Sequence, residues 1–211
     1  MRLPKLYPIL DTAILDARGF AIARAAEALL EGGAGILQLR HKQHWGRAVF
    51  DATREIARMC REAGALFIVD DRADIAMLLD AGLHVGQDDL PPRDARRLMG
   101  ADAIIGYSSH DVRQVCAAGG EPVDYVAFGP IFATASKRNP DPVTGIEALK
   151  ECRALLEKPL VAIGGITRET AAAAWAAGAD SVAVIGDLLP ADPTSVSLRQ
   201  RMEEWQRLAT K

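Results

Sequence analysis

The chain has 211 residues, 49% of them hydrophobic, and a formal net charge of −3. This suits one compact α/β core and excludes the global basic field that recruits nucleic acid, while local binding of anionic metabolites stays open. No stretch approaches the ~20 apolar residues of a membrane span. Residues 1–10 lack the apolar run of a signal peptide. The three cysteines, Cys60, Cys116 and Cys152, are scattered with no CxxC and read as reduced thiols, so a cytoplasmic protein is expected.

In chain order, short apolar runs alternate with longer amphipathic ones. The runs at 6–10, 35–40, 66–71, 83–85, 103–108, 124–129, 159–164 and 181–185 are rich in Val, Ile and Leu with little alternation. That is the pattern of parallel strands buried on both faces. Helical spacing occupies 20–31, 47–63, 74–79, 92–99, 111–118, 146–157, 169–177 and 196–208. An Ala-Gly pair follows three of these helices, at Ala63-Gly64, Ala81-Gly82 and Ala177-Gly178, and Gly32-Gly33 follows another. Each glycine is expected to supply a left-handed C-terminal cap. Eight strand–helix units without a linker predict one domain over 1–211, a (β/α)8 TIM barrel. A doubly wound open sheet is the rival, and the count of eight favours the barrel.

Polar residues and glycines gather just after the apolar runs. Gln38, Arg40 and Lys42 close the second run, Asp70 and Asp71 the third. Gln87, Asp88 and Asp89 follow the fourth, Ser108 and His110 the fifth, Gly129 and Pro130 the sixth. Gly164 and Gly165 follow the seventh run, and Gly186 the eighth. In a barrel these positions meet at one rim, where active sites sit, so an enzyme is expected. Arg40 and Lys42 point the same way if the strand persists. Beside them, Asp70, Asp71 and Asp89 suit Mg²⁺ bridging a polyphosphate, while helix N-capping is the plainer role for Asp71 and Asp89. Gly164-Gly165 and the 185–188 turn fall where barrels of this kind bind phosphate. The long loop at 131–145, with Thr134, Ser136, Lys137 and Arg138, reads either as a mobile lid or as plain surface. His41 and His44 sit three apart without a third ligand, which speaks against zinc. Trp45, Trp175 and Trp205 read as packing residues, and His84, between Leu83 and Val85, as structural.

Several segments together resemble the thiamine phosphate synthase family over about residues 6–189. They are Gln38-Leu39-Arg40-His41-Lys42, Asp70-Asp71-Arg72, the 83–91 segment with His84 and Gln87-Asp88-Asp89, and Gly106-Tyr107-Ser108-Ser109-His110. The 124–137 segment, ending in Thr134-Ala135-Ser136-Lys137, and Ile163-Gly164-Gly165-Ile166-Thr167 complete the set. No one motif is decisive; their joint order is specific. The resemblance implies a transferase that joins an aminopyrimidine methyl diphosphate to a thiazole phosphate with Mg²⁺, releasing pyrophosphate. It implies that Gln38, Leu39, Arg40, His41, Lys42, Asp70, Ser108 and Lys137 bind the pyrimidine diphosphate, with Arg40, Ser108 and Lys137 acting in catalysis. By the same resemblance, Thr134, Ala135, Ser136, Gly165, Ile185 and Gly186 bind the thiazole phosphate, and Asp71 and Asp89 ligate Mg²⁺. Small phosphorylated substrates are the expected partners, with no nucleic acid, no membrane, and a homo-oligomer left open.

The sequence departs from the family pattern in two places. Asp70 stands where the family usually has Asn, exchanging two amide donors for a charge. Gly186 stands where it often has Ser, losing a hydroxyl. Two rivals follow. A thiazole tautomerase-like isomerase shares the barrel, but resembles this chain less at Pro130, Asp71 and Asp89. A non-catalytic phosphate-binding barrel is suggested by Asp70 and Gly186.

Overall fold

The computed structural model describes residues 1–134 and 142–210. Eight parallel strands close into a barrel in chain order. They are β1 (Leu6–Asp11), β2 (Ile36–Arg40), β3 (Leu66–Asp70), β4 (Gly82–Val85), β5 (Ile105–Ser109), β6 (Tyr125–Phe128), β7 (Leu160–Ile163) and β8 (Ser181–Val184). Closure comes from β1 against β8, with Leu6 opposite Val182. The order 1 to 8 rules out the open doubly wound sheet, because no strand is left at an edge.

The helices are α1 (Thr12–Ala17), α2 (Ile22–Glu31), α3 (Arg47–Glu62), α4 (Ala73–Leu79), α5 (Pro92–Met99), α6 (Val112–Gly119), α7 (Gly145–Leu155), α8 (Ala171–Ala176) and α9 (Ser195–Ala209). A 3₁₀ turn, Gly186–Leu188, separates β8 from α9. The helix α1 lies outside the apolar periodicity; Asp11 nucleates it by accepting from the Ile14 N–H at 3.1 Å. The Ala-Gly expectation holds at Gly33, Gly64 and Gly178, all with positive φ. It fails at Gly82. There Asp80 takes the left-handed cap of α4, at φ 53°, and Gly82 already belongs to β4, where a Cβ would run into Ile68. No helix among the described residues is long and apolar enough to cross a membrane.

Period-2 alternation sorts the strand residues into two cores. Leu37, Leu39, Val69, Leu83, Ile105, Val126 and Phe128 pack outward beneath the helices. Tyr7, Ile9, Ile36, Ile68, Tyr125, Ala127, Val161 and Ala183 fill the barrel interior. On β1, β2 and β3 the inward row runs from apolar filler to a polar residue at the carboxyl end: Tyr7 and Ile9 to Asp11, Ile36 to Gln38 to Arg40, and Ile68 to Asp70. This stacking puts the polar groups at one rim above a packed floor.

Candidate active site

Charged groups converge where β1, β2 and β3 end. Arg40 forms a short ion pair with Asp11 and places Nε 3.7 Å from Asp70 Oδ2. The strand stops at Arg40, so the shared direction expected for Lys42 does not come from strand alternation. Lys42 lies in the following loop and still reaches the same carboxylate, Nζ to Asp70 Oδ2 at 2.9 Å, with a closer contact to Asp71. Asp11 and Asp70 are 4% and 5% exposed. Carboxylates buried to this degree persist only when paired. Without ligand, the rim cations are thus neutralised by rim carboxylates, and an incoming anion competes with them.

Asp71 has φ 63°, in the left-handed region, and is held there by its N–H donating to the His84 carbonyl at 2.8 Å. Asp tolerates this conformation better than most side chains, yet it still stores strain, a pattern common at functional sites. Its Oδ1 is buried without a hydrogen-bond partner among the described residues. Burial, then the Asp70 charge, push its carboxyl up to about 6 against the opposing pull of Lys42, and the neighbouring Asp89 carboxyl adds to the rise. Burial pulls the Lys42 ammonium down, but the Asp70 and Asp71 carboxylates outweigh it and hold the group above its ordinary value.

Asp89 is not a helix cap. Its Oδ2 accepts from the Gly86 N–H at 2.7 Å and closes the turn after β4, while α5 begins on Pro91-Pro92. Asp71 does not cap α4 either; Arg72 holds that position. Among the described residues no cluster of three or more His, Cys, Asp or Glu could hold a metal. Two neighbouring carboxylates with one orphaned, buried oxygen fit Mg²⁺, which takes one or two carboxylates and completes its shell with water and phosphate oxygens.

Gln38 and Ser108 sit across the interior from each other. Gln38 Nε2 donates to the Tyr7 hydroxyl at 3.0 Å, and Ser108 Oγ lies 2.9 Å from His84 Nε2. Two expected contact residues are placed otherwise. The Leu39 side chain belongs to the outer core under the helices, so it does not face the rim. His41 is buried, bonded to Thr12 Oγ1 at 2.7 Å and the His44 carbonyl at 3.1 Å, with its ring edge-on to Trp45. It braces the β2–α3 loop that carries Lys42.

The opposite side of the rim is built from turns. Gly164 and Gly165 both have positive φ, and a Cβ on Gly165 would enter the Phe132–Ala133 backbone. The loops after β6 and β7 are laced by Ile131 N–H to Ile163 O at 2.9 Å and Phe132 N–H to Gly164 O at 3.0 Å. Ile185 precedes the 3₁₀ turn that Gly186 opens. Arg168 ties that turn down, with Nε 3.0 Å from Asp187 Oδ2, a second ion pair to Glu204, and Arg201 donating to the Asp187 carbonyl at 2.6 Å. Thr134 is half-buried at the end of the described β6 loop. Ala135, Ser136, Lys137 and Arg138, and with them the middle of the expected 131–145 lid, lie outside the described residues.

The sequence reading missed Asp11, Tyr7 and Tyr125. Asp11 carried a usable signal, since it is the polar residue that ends the first apolar run. The two tyrosines look like ordinary strand residues, and only closure of the barrel brings their hydroxyls 2.8 Å apart across 118 residues of sequence.

The chain matches the family model described as thiamine monophosphate synthase over residues 6–188. It is 44% identical over 211 residues to the thiamine-phosphate synthase of Koribacter versatilis (strain Ellin345), covering 99% of this chain and 97% of the relative. It is 41% identical over 194 residues to that of Laribacter hongkongensis (strain HLHK9), covering 91% of each. Among solved structures, the thiamine phosphate pyrophosphorylase of Pyrococcus furiosus superposes with a TM-score of 0.85 at 30% identity, covering 98% of this chain and 96% of that one.

Proposed function

The chain belongs to the thiamine monophosphate synthase family, and from that premise we propose that its rim joins 4-amino-2-methyl-5-(diphosphooxymethyl)pyrimidine to a thiazole phosphate, releasing pyrophosphate. The product is thiamine phosphate and the chain is a transferase. One observation carries the assignment of the site: Arg40 and Lys42 are held against Asp70 and Asp71, with Asp89 beside them, at the carboxyl ends of neighbouring strands. Cations and carboxylates side by side suit a metal-bound diphosphate better than a lone phosphate, which needs no carboxylate.

In this reading Gln38 and Ser108 orient the pyrimidine. Arg40, Lys42 and Lys137 pair with the diphosphate, and Asp71 and Asp89 hold Mg²⁺. When bound, Mg²⁺ supplies positive charge that eases departure of the diphosphate. The bond between the pyrimidine methylene carbon and the diphosphate oxygen breaks with its electron pair leaving on oxygen. The amino group delocalises the resulting positive charge over the ring. The thiazole nitrogen then forms the new C–N bond with its lone pair. It carries no proton to lose, so this side of the site needs positioning rather than a general base. The backbone at Gly165, Ile185 and Gly186, with Thr134, Ala135 and Ser136, holds the thiazole phosphate. Three free thiols suit a reducing compartment, and we place the reaction in the cytoplasm.

Calorimetry separates the two halves. Pyrimidine diphosphate should bind tightly only with Mg²⁺, and Asp71→Asn should abolish that enhancement; thiazole phosphate should bind with or without Mg²⁺. Metal-independent diphosphate binding in the unaltered protein would remove the metal assignment.

A further inference from the structure

Beneath the rim, five polar side chains form one continuous chain, buried except at its Ser108 end. Gln38 Nε2 donates to Tyr7 Oη at 3.0 Å, and Tyr7 Oη lies 2.8 Å from Tyr125 Oη. Tyr125 Oη lies 3.0 Å from His84 Nδ1, and His84 Nε2 lies 2.9 Å from Ser108 Oγ. The chain crosses the barrel from β2 through β1, β6 and β4 to β5. Its middle is dry: Tyr7 and Tyr125 are 1% and 0% exposed. The Tyr125 ring stacks on His84, with centroids 5.6 Å apart, and it lies over Gly106, where any Cβ would strike it. Burial pushes both phenols above their ordinary range, so both keep their protons. The proposed chemistry uses Gln38 and Ser108, but not Tyr7, Tyr125 or His84.

We propose that Tyr7, Tyr125 and His84 are positioning residues whose one-way hydrogen-bond chain makes Gln38 the acceptor and Ser108 the donor that the rim offers to an aminopyrimidine ring. The direction follows from counting protons. The Gln38 amide nitrogen only donates, so Tyr7 Oη accepts there and its single proton goes to Tyr125 Oη. Tyr125 has then accepted, and its own proton goes to His84 Nδ1. An imidazole that accepts at Nδ1 carries its proton on Nε2, which donates to Ser108 Oγ. Ser108 has now accepted, and its hydroxyl proton remains for the rim. At the other end, one N–H of Gln38 is engaged inward, which fixes the orientation of the amide and leaves its carbonyl oxygen to accept from the rim. Reversing the order would leave the Tyr7 proton in the barrel interior with neither Gln38 nor Tyr125 accepting it, which a dry interior penalises.

An acceptor at one end and a donor at the other match a ring that carries an amino donor next to a ring-nitrogen acceptor. The corresponding oxo ring, with a carbonyl acceptor next to a ring N–H donor, presents the opposite polarity. The buried chain thereby becomes a specificity determinant for the amino form, although neither tyrosine needs to touch the substrate. The substrate part of this inference rests on the proposed function; the proton order does not.

Two readouts test it. In ¹⁵N-labelled protein, His84 should show an unprotonated Nδ1 and a protonated Nε2. Tyr125→Phe removes one hydroxyl and cuts the chain beside His84. In that variant His84 should populate both tautomers, and the preference for the 4-amino over the 4-oxo diphosphate should fall about tenfold, the worth of one hydrogen bond. The KM for thiazole phosphate should stay within about twofold, below what a single lost hydrogen bond would produce. Tyr7→Phe cuts the chain one link earlier and should shift both readouts in the same direction, which keeps the test valid if Tyr125→Phe does not fold. A protonated Nδ1 in the unaltered protein, or folded variants that keep both the tautomer and the amino preference, would overturn the proposal. Absence of any thiamine phosphate synthesis would instead strike the proposed function, and the tautomer measurement would still decide the proton order.

Discussion

Lys42 Nζ stands 2.9 Å from Asp70 Oδ2, on a carboxylate that is only 5% exposed. This pair fixes the Lys42 ammonium at the rim. The Asp70 charge neutralises Lys42 and lies 3.7 Å from Arg40 Nε. An anion that pairs with Lys42 must therefore displace a carboxylate from it.

Asp70→Asn should lower the KM for the pyrimidine diphosphate by about two- to fivefold, the scale of an ion pair whose cation stays partly in solvent. The dependence of that KM on ionic strength should steepen. Steady-state kinetics at two salt concentrations checks both. A raised KM would mean that the Asp70 charge serves the bound state.

Asp89→Asn keeps an oxygen able to accept from the Gly86 N–H, so the turn after β4 should survive. Turnover should fall on the order of a hundredfold, the typical cost of losing one electrostatic contact to a developing charge. Thiazole phosphate affinity should be nearly unchanged. Full activity at low Mg²⁺ would rule out Asp89 as a ligand.

Arg168→Ala removes the side chain that ties the 3₁₀ turn to α9. Thiazole phosphate affinity should drop several-fold, roughly the effect of ~1 kcal/mol, with diphosphate affinity intact. Calorimetry with each ligand separately reads this. Equal loss for both ligands would show general destabilisation instead.

Gly165 is a poor place to test phosphate binding by adding bulk. Its φ is +65° and a Cβ would enter the Phe132–Ala133 backbone. Gly165→Ala should cost roughly 1–3 kcal/mol of stability before any ligand is considered. A thermal melt unchanged from the unaltered protein would contradict the strain argument.

Lys137 carries its role through the family resemblance. Lys137→Ala should reduce turnover and raise the fraction of pyrimidine lost to hydrolysis, since a poorly held diphosphate lets water compete for the cation. Arg138→Ala is the control. Equal effects of the two substitutions would remove the specific role of Lys137.

Much of this molecule was legible before its structure. Strands buried on both faces announce themselves as unbroken Val, Ile and Leu runs, and the polar residues and glycines that follow most of them mark the rim. Arg40, Lys42, Asp70, Asp71 and Asp89 were found this way, and they do meet. Other features depend on closure rather than on local pattern. Leu39 stands in the same motif as Gln38 and Arg40, yet strand alternation turns it to the outer core. The resemblance places His41 among the substrate contacts, and in the structure its ring is bonded to Thr12 and to the His44 carbonyl. Gly82 followed an alanine like the other caps, but Asp80 had already ended the helix. Tyr7 and Tyr125 gave no polar signal because aromatic residues suit strands anyway. Their meeting is a long-range fact.

The most direct test of the central claim is ³¹P NMR of the purified protein with both phosphorylated substrates and Mg²⁺. Pyrophosphate and thiamine phosphate should appear together, in a one-to-one ratio, as the diphosphate ester resonances disappear. Release of pyrophosphate without thiamine phosphate, or no release under conditions where both ligands bind, would contradict it.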